Sequence, residues 1–218
     1  MKIFCISLFP EYFESPFTAS IIKRAQTKQL VSLHTIALRE FATDIHKTTD
    51  DRPFGGGPGM VMKVEPIDRA LTSIRQQLEP HETVQVVLTA AKGVAYTQST
   101  ARELATYDAV IIICGHYEGV DERVKEHLVD REVRVGDFVM TGGEPAAAAI
   151  VDSIVRLIPG VLGNEESTIG ESHDEPGVMA YPQYTRPQTY NGWEVPTALL
   201  SGNHEEIETW RKQKRVTE

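Results

Sequence analysis

Residues 109 to 119 read Ala-Val-Ile-Ile-Ile-Cys-Gly-His-Tyr-Glu-Gly. An apolar run rich in β-branched residues stops abruptly at a glycine-marked loop. Its length and branching are those of a strand buried on both faces, as in a parallel sheet. Two further runs behave alike: Val84–Leu88 leads into Thr89-Ala-Ala-Lys-Gly93, and Val133–Val135, more weakly, leads into Gly136–Gly143. Ile3–Phe9 and Val31–Leu38 are two more strand candidates. Helical patterns lie between them. In Glu65–Leu78 the residues Ile67, Ala70, Leu71, Ile74 and Leu78 share one face; Gln98–Tyr107 and Val120–Val129 are shorter, and Pro145–Ile158 is nearly apolar throughout. Alternation of strand and helix predicts an α/β domain with a mainly parallel sheet.

That domain is expected over residues 1–160. Residues 161–180 change character: Glu165, Glu166, Glu171, Asp174 and Glu175 occur there with no Lys or Arg, beside glycines and a proline, which reads as a flexible acidic linker. Residues 181–218 end in a helix, Glu205–Lys214, with Trp210 and a basic tail, Arg211–Arg215. The segment is too small for a core of its own and must pack on something else. No internal repeat is present.

Composition sets limits. An apolar content of 41% supports a real core, and 24% charged residues is ordinary for a soluble protein. Cys5 and Cys114 both fall inside apolar runs and read as buried thiols in a reducing cytoplasm, with neither disulfide nor zinc spacing. The seven histidines include no His-x-x-x-His pair, so no structural metal is expected. The amino-terminal apolar run is too short for a signal peptide, and no stretch approaches a membrane span. A net charge of −9 argues mildly against a nucleic-acid partner unless positive charge is concentrated locally.

The glycines are clustered. Ten of the sixteen fall in the three strand-end loops and in Asp50-Asp-Arg-Pro-Phe-Gly-Gly-Gly-Pro-Gly-Met60. That last segment can be neither helix nor interior strand. It lacks the Gly-Lys-Ser/Thr of a phosphate-binding Walker loop, and no Rossmann Gly-x-Gly-x-x-Gly occurs anywhere. It is either a tight surface turn or a loop that grips a ligand. The strand-end loops are likewise either ordinary βα turns or, since ligands of open α/β sheets bind at the carboxyl ends of strands, the rim of a pocket. Such a pocket, walled by Leu88, Tyr117, Phe138 and Met140, suits a heterocycle with a ribose and an amino-acid tail better than a polyphosphate.

Six ordered motifs then carry a resemblance that spans nearly the whole chain: Asp50–Met60, Gly115–Arg123, Gly136–Glu144, Arg156–Gly163, Tyr184–Pro187 and Ser201–His204. Together they resemble the bacterial tRNA (guanine-N1)-methyltransferases of the SPOUT superfamily. The resemblance implies a deep trefoil knot in the first domain, S-adenosylmethionine as methyl donor, an obligate homodimer with its active site at the subunit interface, and methylation at N1 of the guanosine 3′-adjacent to the anticodon in tRNA. A knot breaks the usual rule against threaded loops and is not readable from patterning.

Carried over residue by residue, the donor site comprises Leu88, Thr89 and Ala90; Gly115, Tyr117, Glu118 and Gly119; Val135, Gly136, Asp137, Phe138, Val139 and Met140; and Gly142 and Gly143. Within it, Glu118 meets the positive end of the donor. Contacts to tRNA fall to Arg24, His46, Asp50, Gly57, Pro58, Gly59, Met60 and Arg186. Guanine N1 is a poor nucleophile until its proton leaves and charge spreads onto O6, so the reaction needs a base at N1 and a cation or donor at O6. Arg156 matches the arginine of the family, and its planar fork suits O6 and N7 of guanine. Read without the motif, Arg156 would form an ion pair with Asp152 one turn earlier. Glu171, fifteen residues further on, occupies the position of the base, with Asp174 as fallback. Whether a divalent ion such as Mg2+ assists the deprotonation is left open.

The chain departs from the family pattern in three places. Glu171 stands where aspartate is familiar, adding a methylene. Pro145 sits one position early, with Ala146 where the proline usually stands. Finally, Glu218 follows soon after the Trp210-Arg211 motif, whereas relatives usually continue in helix. The expected cost is a weaker grip on tRNA, because phosphate contacts dominate nucleic-acid affinity. Two other readings follow: a knotted dimer that binds donor and tRNA with weak or no turnover, and an unrelated nucleotide-binding enzyme.

Overall fold

A computed structural model describes residues 1–164, 168 and 170–217. The strands are β1 (Lys2–Ser7), β2 (Ser32–Ala37), β3 (Asp50–Asp51), β4 (Val61–Met62), β5 (Val84–Ala95), β6 (Ala109–Cys114), β7 (Arg131–Arg134), β8 (Val178–Met179), β9 (Thr189–Tyr190), β10 (Trp193–Glu194) and β11 (Val216–Thr217). The helices are α1 (Glu14–Phe17), α2 (Ser20–Thr27), α3 (Val64–Arg75), α4 (Gln98–Leu104), α5 (Glu122–His127), α6 (Glu144–Val155) and α7 (His204–Lys214). The chain divides into two compact units, Met1–Gly163 and Asn164–Glu218.

In the first unit five strands form one sheet, ordered β2-β1-β6-β5-β7, and every pairing is parallel. Side chains of successive residues leave a strand on opposite faces. Ile3 and Cys5 of β1, Val87 of β5 and Val110, Ile112 and Cys114 of β6 therefore share one face, packed with Ile22 and Ala25 of α2, Leu104 of α4 and the inner side of α6. Phe4, Ile6, Val86, Leu88, Ile111 and Ile113 point the other way, onto α3 and Val124 of α5. Both faces being covered, β6 is buried along its whole length, as its composition requires. Each fully buried Ile or Val there contributes about 1.5–3 kcal/mol over leaving it exposed. Side-chain caps start α4 and α5: Thr97 Oγ1 accepts from Thr100 N at α4, and an Asp121 carboxylate oxygen accepts from Arg123 N at α5.

Four features differ from the sequence expectation. Strand β5 does not stop at Leu88 but runs to Ala95, with Ala90–Gly93 bulged out between two residues, Thr89 and Val94, that both pair with Val133. Gly93 permits this, because a Cβ there would lie 2.5 Å from the Val133 backbone nitrogen. The Asp50–Met60 loop is clipped at its base by an antiparallel ladder, Asp50 with Met62 and Asp51 with Val61. Helix α6 ends at Val155, short of the Pro145–Ile158 span that its apolar composition predicts, and much of it is interior to its own unit: Ala147, Ile150, Val151, Ile154 and Val155 are fully buried. In the second unit the expected terminal helix is present as α7, but two two-stranded ribbons that the sequence reading did not predict, β9–β10 and β8–β11, accompany it and a short 3-10 turn at Thr197–Leu200. Residues 170–180 of the expected linker belong to this unit; Glu165 and Glu166 lie outside the described residues. Among the described residues no helix is long and apolar enough to cross a membrane.

Candidate active site

The carboxyl ends of β6 and β7 and the bulge of β5 surround one cavity of about 350 Å³. Of the fifteen residues assigned to the donor site, fourteen line it: Leu88, Thr89, Ala90, Gly115, Tyr117, Glu118, Gly119, Val135, Gly136, Phe138, Val139, Met140, Gly142 and Gly143. Asp137 does not. Its carboxylate is drawn instead to Arg134, whose Nε donates to Asp137 Oδ1 at 2.6 Å. The mouth is apolar and open, with Tyr117, Phe138, Val139 and Met140 all exposed.

Close backbone approach builds the floor. Gly143 N donates to Gly115 O at 2.7 Å, and His116 and Gly142 form an antiparallel bridge. The buried hydroxyl of Thr89 donates to Ile113 O at 3.2 Å and accepts from Gly115 N at 3.3 Å, so one side chain ties β5 to the end of β6 and to the loop that follows it. A Cβ on Gly115 would lie 2.7 Å from Thr89 O. The glycines therefore remove side chains where three loops converge, and they leave backbone groups facing the ligand space.

Behind the floor lies a polar cluster that the sequence reading missed. Glu144, in the first turn of α6, is buried and accepts from Ser7 Oγ at 2.7 Å; Ser7 Oγ in turn accepts from Phe9 N at 2.8 Å. His116 Nδ1 lies 3.7 Å from Glu144 Oε2 and is buried with no hydrogen-bond partner among the described residues. The imidazole sits between the rings of Phe9 and Tyr117. The helix N-terminus favours an acid at position 144, and Pro145 just after it suits the first turn. A Gly-Gly-Glu run opening an apolar helix was the available signal.

The opposite wall is charged. Lys92 Nζ lies 2.5 Å from Glu122 Oε2, and Lys125 Nζ reaches both Glu122 at 3.4 Å and Glu132 at 3.2 Å. Lys92 and then Lys125 hold the Glu122 carboxyl below the usual carboxylate range, and Glu132 followed by Glu122 raises Lys125. Among the described residues no group of three or more His, Cys, Asp or Glu could hold a metal ion.

The glycine-rich loop is joined to this cavity. Glu118 N donates to Met60 O at 3.0 Å, Met62 N to Gly119 O at 3.0 Å, and Asp121 N to Met62 O at 2.9 Å. Gly59 lies so close to Glu118 that a Cβ would sit 2.5 Å from its Cγ. The predicted contacts Gly57–Met60 thus adjoin the predicted donor loop, with Asp50 half-buried at the clip. His46 is exposed in a turn where its N–H donates to Asp44 Oδ1 at 3.0 Å, Arg24 is exposed in the last turn of α2, and Arg186 is exposed in the second unit.

The two catalytic candidates are not among the residues lining this cavity. Arg156 is half-buried at the C-cap of α6, where its N–H donates to Asp152 O at 3.2 Å. Glu171 belongs to the second unit and lines a separate cavity there with Tyr181, Arg211 and Arg215. Asp174 lies in the same turn: its N–H donates to Glu171 O at 3.1 Å, and its carboxylate accepts from Gly170 N at 2.7 Å.

A parallel α/β sheet whose strand ends open on a backbone-lined, apolar-mouthed cavity places this chain in the class of open α/β proteins, in which ligands bind at the carboxyl ends of the strands. Comparison with known proteins is more specific. The family model described as tRNA (Guanine-1)-methyltransferase TrmD matches residues 1–218, and the chain belongs to that family, a family of enzymes. Similar curated proteins include the tRNA (guanine-N(1)-)-methyltransferases of Dehalococcoides mccartyi strain 195 and of Chloroflexus aggregans. Each is 49% identical over 99% of this chain, covering 86% and 83% of the respective relative. The protein of that name from Azobacteroides pseudotrichonymphae is 47% identical over 99% of this chain and 96% of its own length.

Proposed function

We propose that the chain transfers a methyl group from S-adenosylmethionine to N1 of the guanosine 3′-adjacent to the anticodon in tRNA. Family membership supplies the reaction class, and one observation supports the site: fourteen of the fifteen residues that the family likeness assigns to the donor converge on a single cavity. Its volume is within the range of small-molecule sites, about 300–1,000 Å³. Backbone groups of Leu88–Ala90, Gly115–Gly119 and Val135–Gly143 would hold adenine and ribose, and Tyr117, Phe138 and Met140 would shield them from water. When bound, the donor supplies an electrophilic methyl group on a sulfonium. Glu118, anionic and anchored through its backbone to Met60, complements that positive charge.

On the acceptor side, the loop Asp50–Met60 would hold the guanine and its neighbour, since its carboxyl end is hydrogen-bonded to the loop that carries Glu118. Glu171 would take the N1 proton, and Arg156 would stabilise the charge developing on O6. Helix α6 has its amino end at the cavity, where Gly143 and Ala146 line the wall, and Arg156 at its carboxyl end. A helix of 12 residues is about 18 Å long at 1.5 Å per residue. An arginine that far from Gly143 in its own chain supports a homodimer in which Arg156 serves the partner's cavity. We also propose the deep trefoil knot in the first domain. The support is that segments distant in sequence, around Thr89, Gly115 and Gly143, lie against one another with no room for a side chain. The first unit would then bind the donor and the second would grip tRNA, in a cytoplasmic reaction.

The test is methyl incorporation from labelled S-adenosylmethionine into tRNA bearing G beside the anticodon, compared with the same tRNA bearing A there. Signal on the first alone is expected. Equal signal on both, or none, overturns the proposal.

A further inference from the structure

The ring of His116 links the wall of the strand-end cavity to a buried acid behind it. His116 and Gly142 line that cavity, and Glu144 does not. Glu144 Oε1 is taken by the Ser7 hydroxyl at 2.7 Å, while Glu144 Oε2 faces His116 Nδ1 at 3.7 Å. That separation is within ion-pair reach but longer than a hydrogen bond. Nδ1 is buried with no hydrogen-bond partner among the described residues. No side chain intervenes, because position 142 is glycine: a Cβ there would overlap both His116 Nδ1 and Glu144 Oε2.

The same residue is attached to the groups expected to touch the donor. Its ring packs between Phe9, with centroids 5.1 Å apart, and Tyr117, at 4.8 Å. Its backbone bridges Gly142, and its carbonyl accepts from Gly119 N at 3.0 Å. Inside the turn closed by that bond, Tyr117 has a φ of +58°, a left-handed conformation that bulky residues seldom adopt. Such a conformation persists only where the surroundings fix it. Glu118 follows directly, with its N–H on Met60 O. A displacement of His116 is therefore passed along the chain to Tyr117 and Glu118.

We propose that Glu144 is a positioning residue for the donor site, acting through a proton on His116 Nδ1. The carboxylate is fixed by Ser7 and favoured by the amino end of α6, so it is a stationary acceptor toward which the imidazole N–H is drawn. The assignment rests on the donor reading given above and adds to it the group that holds Tyr117 and Glu118 in place.

Binding of S-adenosylhomocysteine is to be measured by calorimetry for the wild-type chain, Glu144→Gln, His116→Phe, His116→Asn and the double variant of Glu144→Gln with His116→Phe. Thermal melts serve as the folding control. His116→Phe keeps a ring between Phe9 and Tyr117 but no donor. His116→Asn keeps an N–H at the place of Nδ1 but no ring. The amide oxygen of Glu144→Gln cannot serve both Ser7 and His116. Glu144→Gln and His116→Phe should each weaken binding about tenfold, as for loss of a hydrogen bond to a charged group. The double variant should lose no more than either, because the two act as one unit, and His116→Asn should recover most of the loss. Wild-type affinity in His116→Phe with a loss in His116→Asn overturns the proposal, since the ring then matters only as packing. Losses that multiply to about a hundredfold in the double variant overturn it too.

A second measurement uses the wild-type chain alone and stands even where a variant fails to fold. Nitrogen-edited NMR spectra at neutral pH, with the ring of His116 assigned from its own backbone, should show the proton on Nδ1. A bare Nδ1 overturns the proposal. Failure of the wild-type chain to bind S-adenosylhomocysteine counts against the donor reading, and the link from Glu144 to His116 is then decided by the ring-nitrogen spectrum alone.

Discussion

Gly143 lies against Thr89 so closely that a Cβ at position 143 would overlap the Thr89 hydroxyl and lie only 2.9 Å from Gly115 N. That hydroxyl already joins Ile113 and Gly115, and Gly143 N is bound to Gly115 O. Three segments remote in sequence are therefore closed around one threonine, and the contact that closes them needs a missing side chain.

Gly143→Ala should be costly in two measurable ways. Overpacking of this kind destabilises by about 1–3 kcal/mol, seen as a lowered melting temperature. If the cavity binds the donor, calorimetric titration with S-adenosylhomocysteine should also lose its signal, since relief of the clash must part the loops that form the floor. Wild-type affinity in the alanine variant would show that the floor is not part of the binding site.

A dimer that shares its active sites makes a sharper claim. Arg156→Ala should silence catalysis by removing the cation at O6, and Gly143→Ala by spoiling the cavity. Mixed after unfolding and refolding together, the two variants should regain up to about a quarter of wild-type activity, because half the dimers are mixed and each of those has one intact site. A chain that uses its own Arg156 regains nothing.

Glu171 sits where an aspartate is familiar, and its extra methylene gives a second kinetic expectation. Glu171→Ala should lower kcat by about 10²–10⁴-fold, the usual weight of a general base, with tRNA affinity little changed. Glu171→Asp separates two accounts. A modest change means that the local turn, in which Asp174 N–H is held by Glu171 O, has adapted to the longer side chain. A large gain would favour a chain that binds well but turns over poorly.

Much of this architecture was legible because β6, β1 and α3 carry their burial in their own composition. Runs such as Val110–Ile113 leave few alternatives to a doubly covered strand. The second half of β5 was not legible. Ala-Ala-Lys-Gly reads as a loop, and only the distant partner Val133, which pairs on both sides of the bulge, makes Val94–Ala95 a strand. Glycines after strand ends pointed to the cavity, whereas Asp137 was included by motif continuity and turned away because Arg134 is the nearer charge. Glu144 escaped notice because one acid at the head of an apolar helix resembles an ordinary cap; its burial against Ser7 is a tertiary fact. The net charge of −9 points away from the tRNA carried in the relatives' names, because a sum over the chain does not show that Arg211, Lys212 and Arg215 line one cavity of the second unit.

Cys5 and Cys114 provide a check on the core that is independent of function. Both are fully buried on the same face of the sheet, and burial pushes both thiols well above the usual thiol range, with the neighbouring Cys5 and then Glu144 adding to the effect at Cys114. The thiolate is the reactive form. The native chain should therefore give no thiol titre with Ellman's reagent at mildly alkaline pH, and the unfolded chain should give both. A fast titre from native protein would mean that the β1–β6 pair opens readily.

The amino ends of the sheet offer a pH-dependent test remote from the cavity. Asp108 Oδ2 accepts from both Thr83 N and Thr83 Oγ1 at 2.8 Å, which clips the entry of β5 to that of β6. The Thr83 amide and then its hydroxyl hold the Asp108 carboxyl below its ordinary value of 3.8. A group whose pKa is depressed by folding contributes stability above its unfolded value, and that stability is lost as the pH falls through the folded value. Asp108→Asn keeps the shape but removes the charge, so the variant should melt below wild type at about pH 6. The gap should narrow as the pH falls below 3.8 and close once the pH lies below the depressed folded value, where the wild-type carboxyl is also neutral. Binding of S-adenosylhomocysteine should be unaffected, since the clip lies at the opposite ends of the strands that open on the cavity. A melting gap that stays constant across that range would mean that the Thr83 bonds do not depend on the ionised carboxylate.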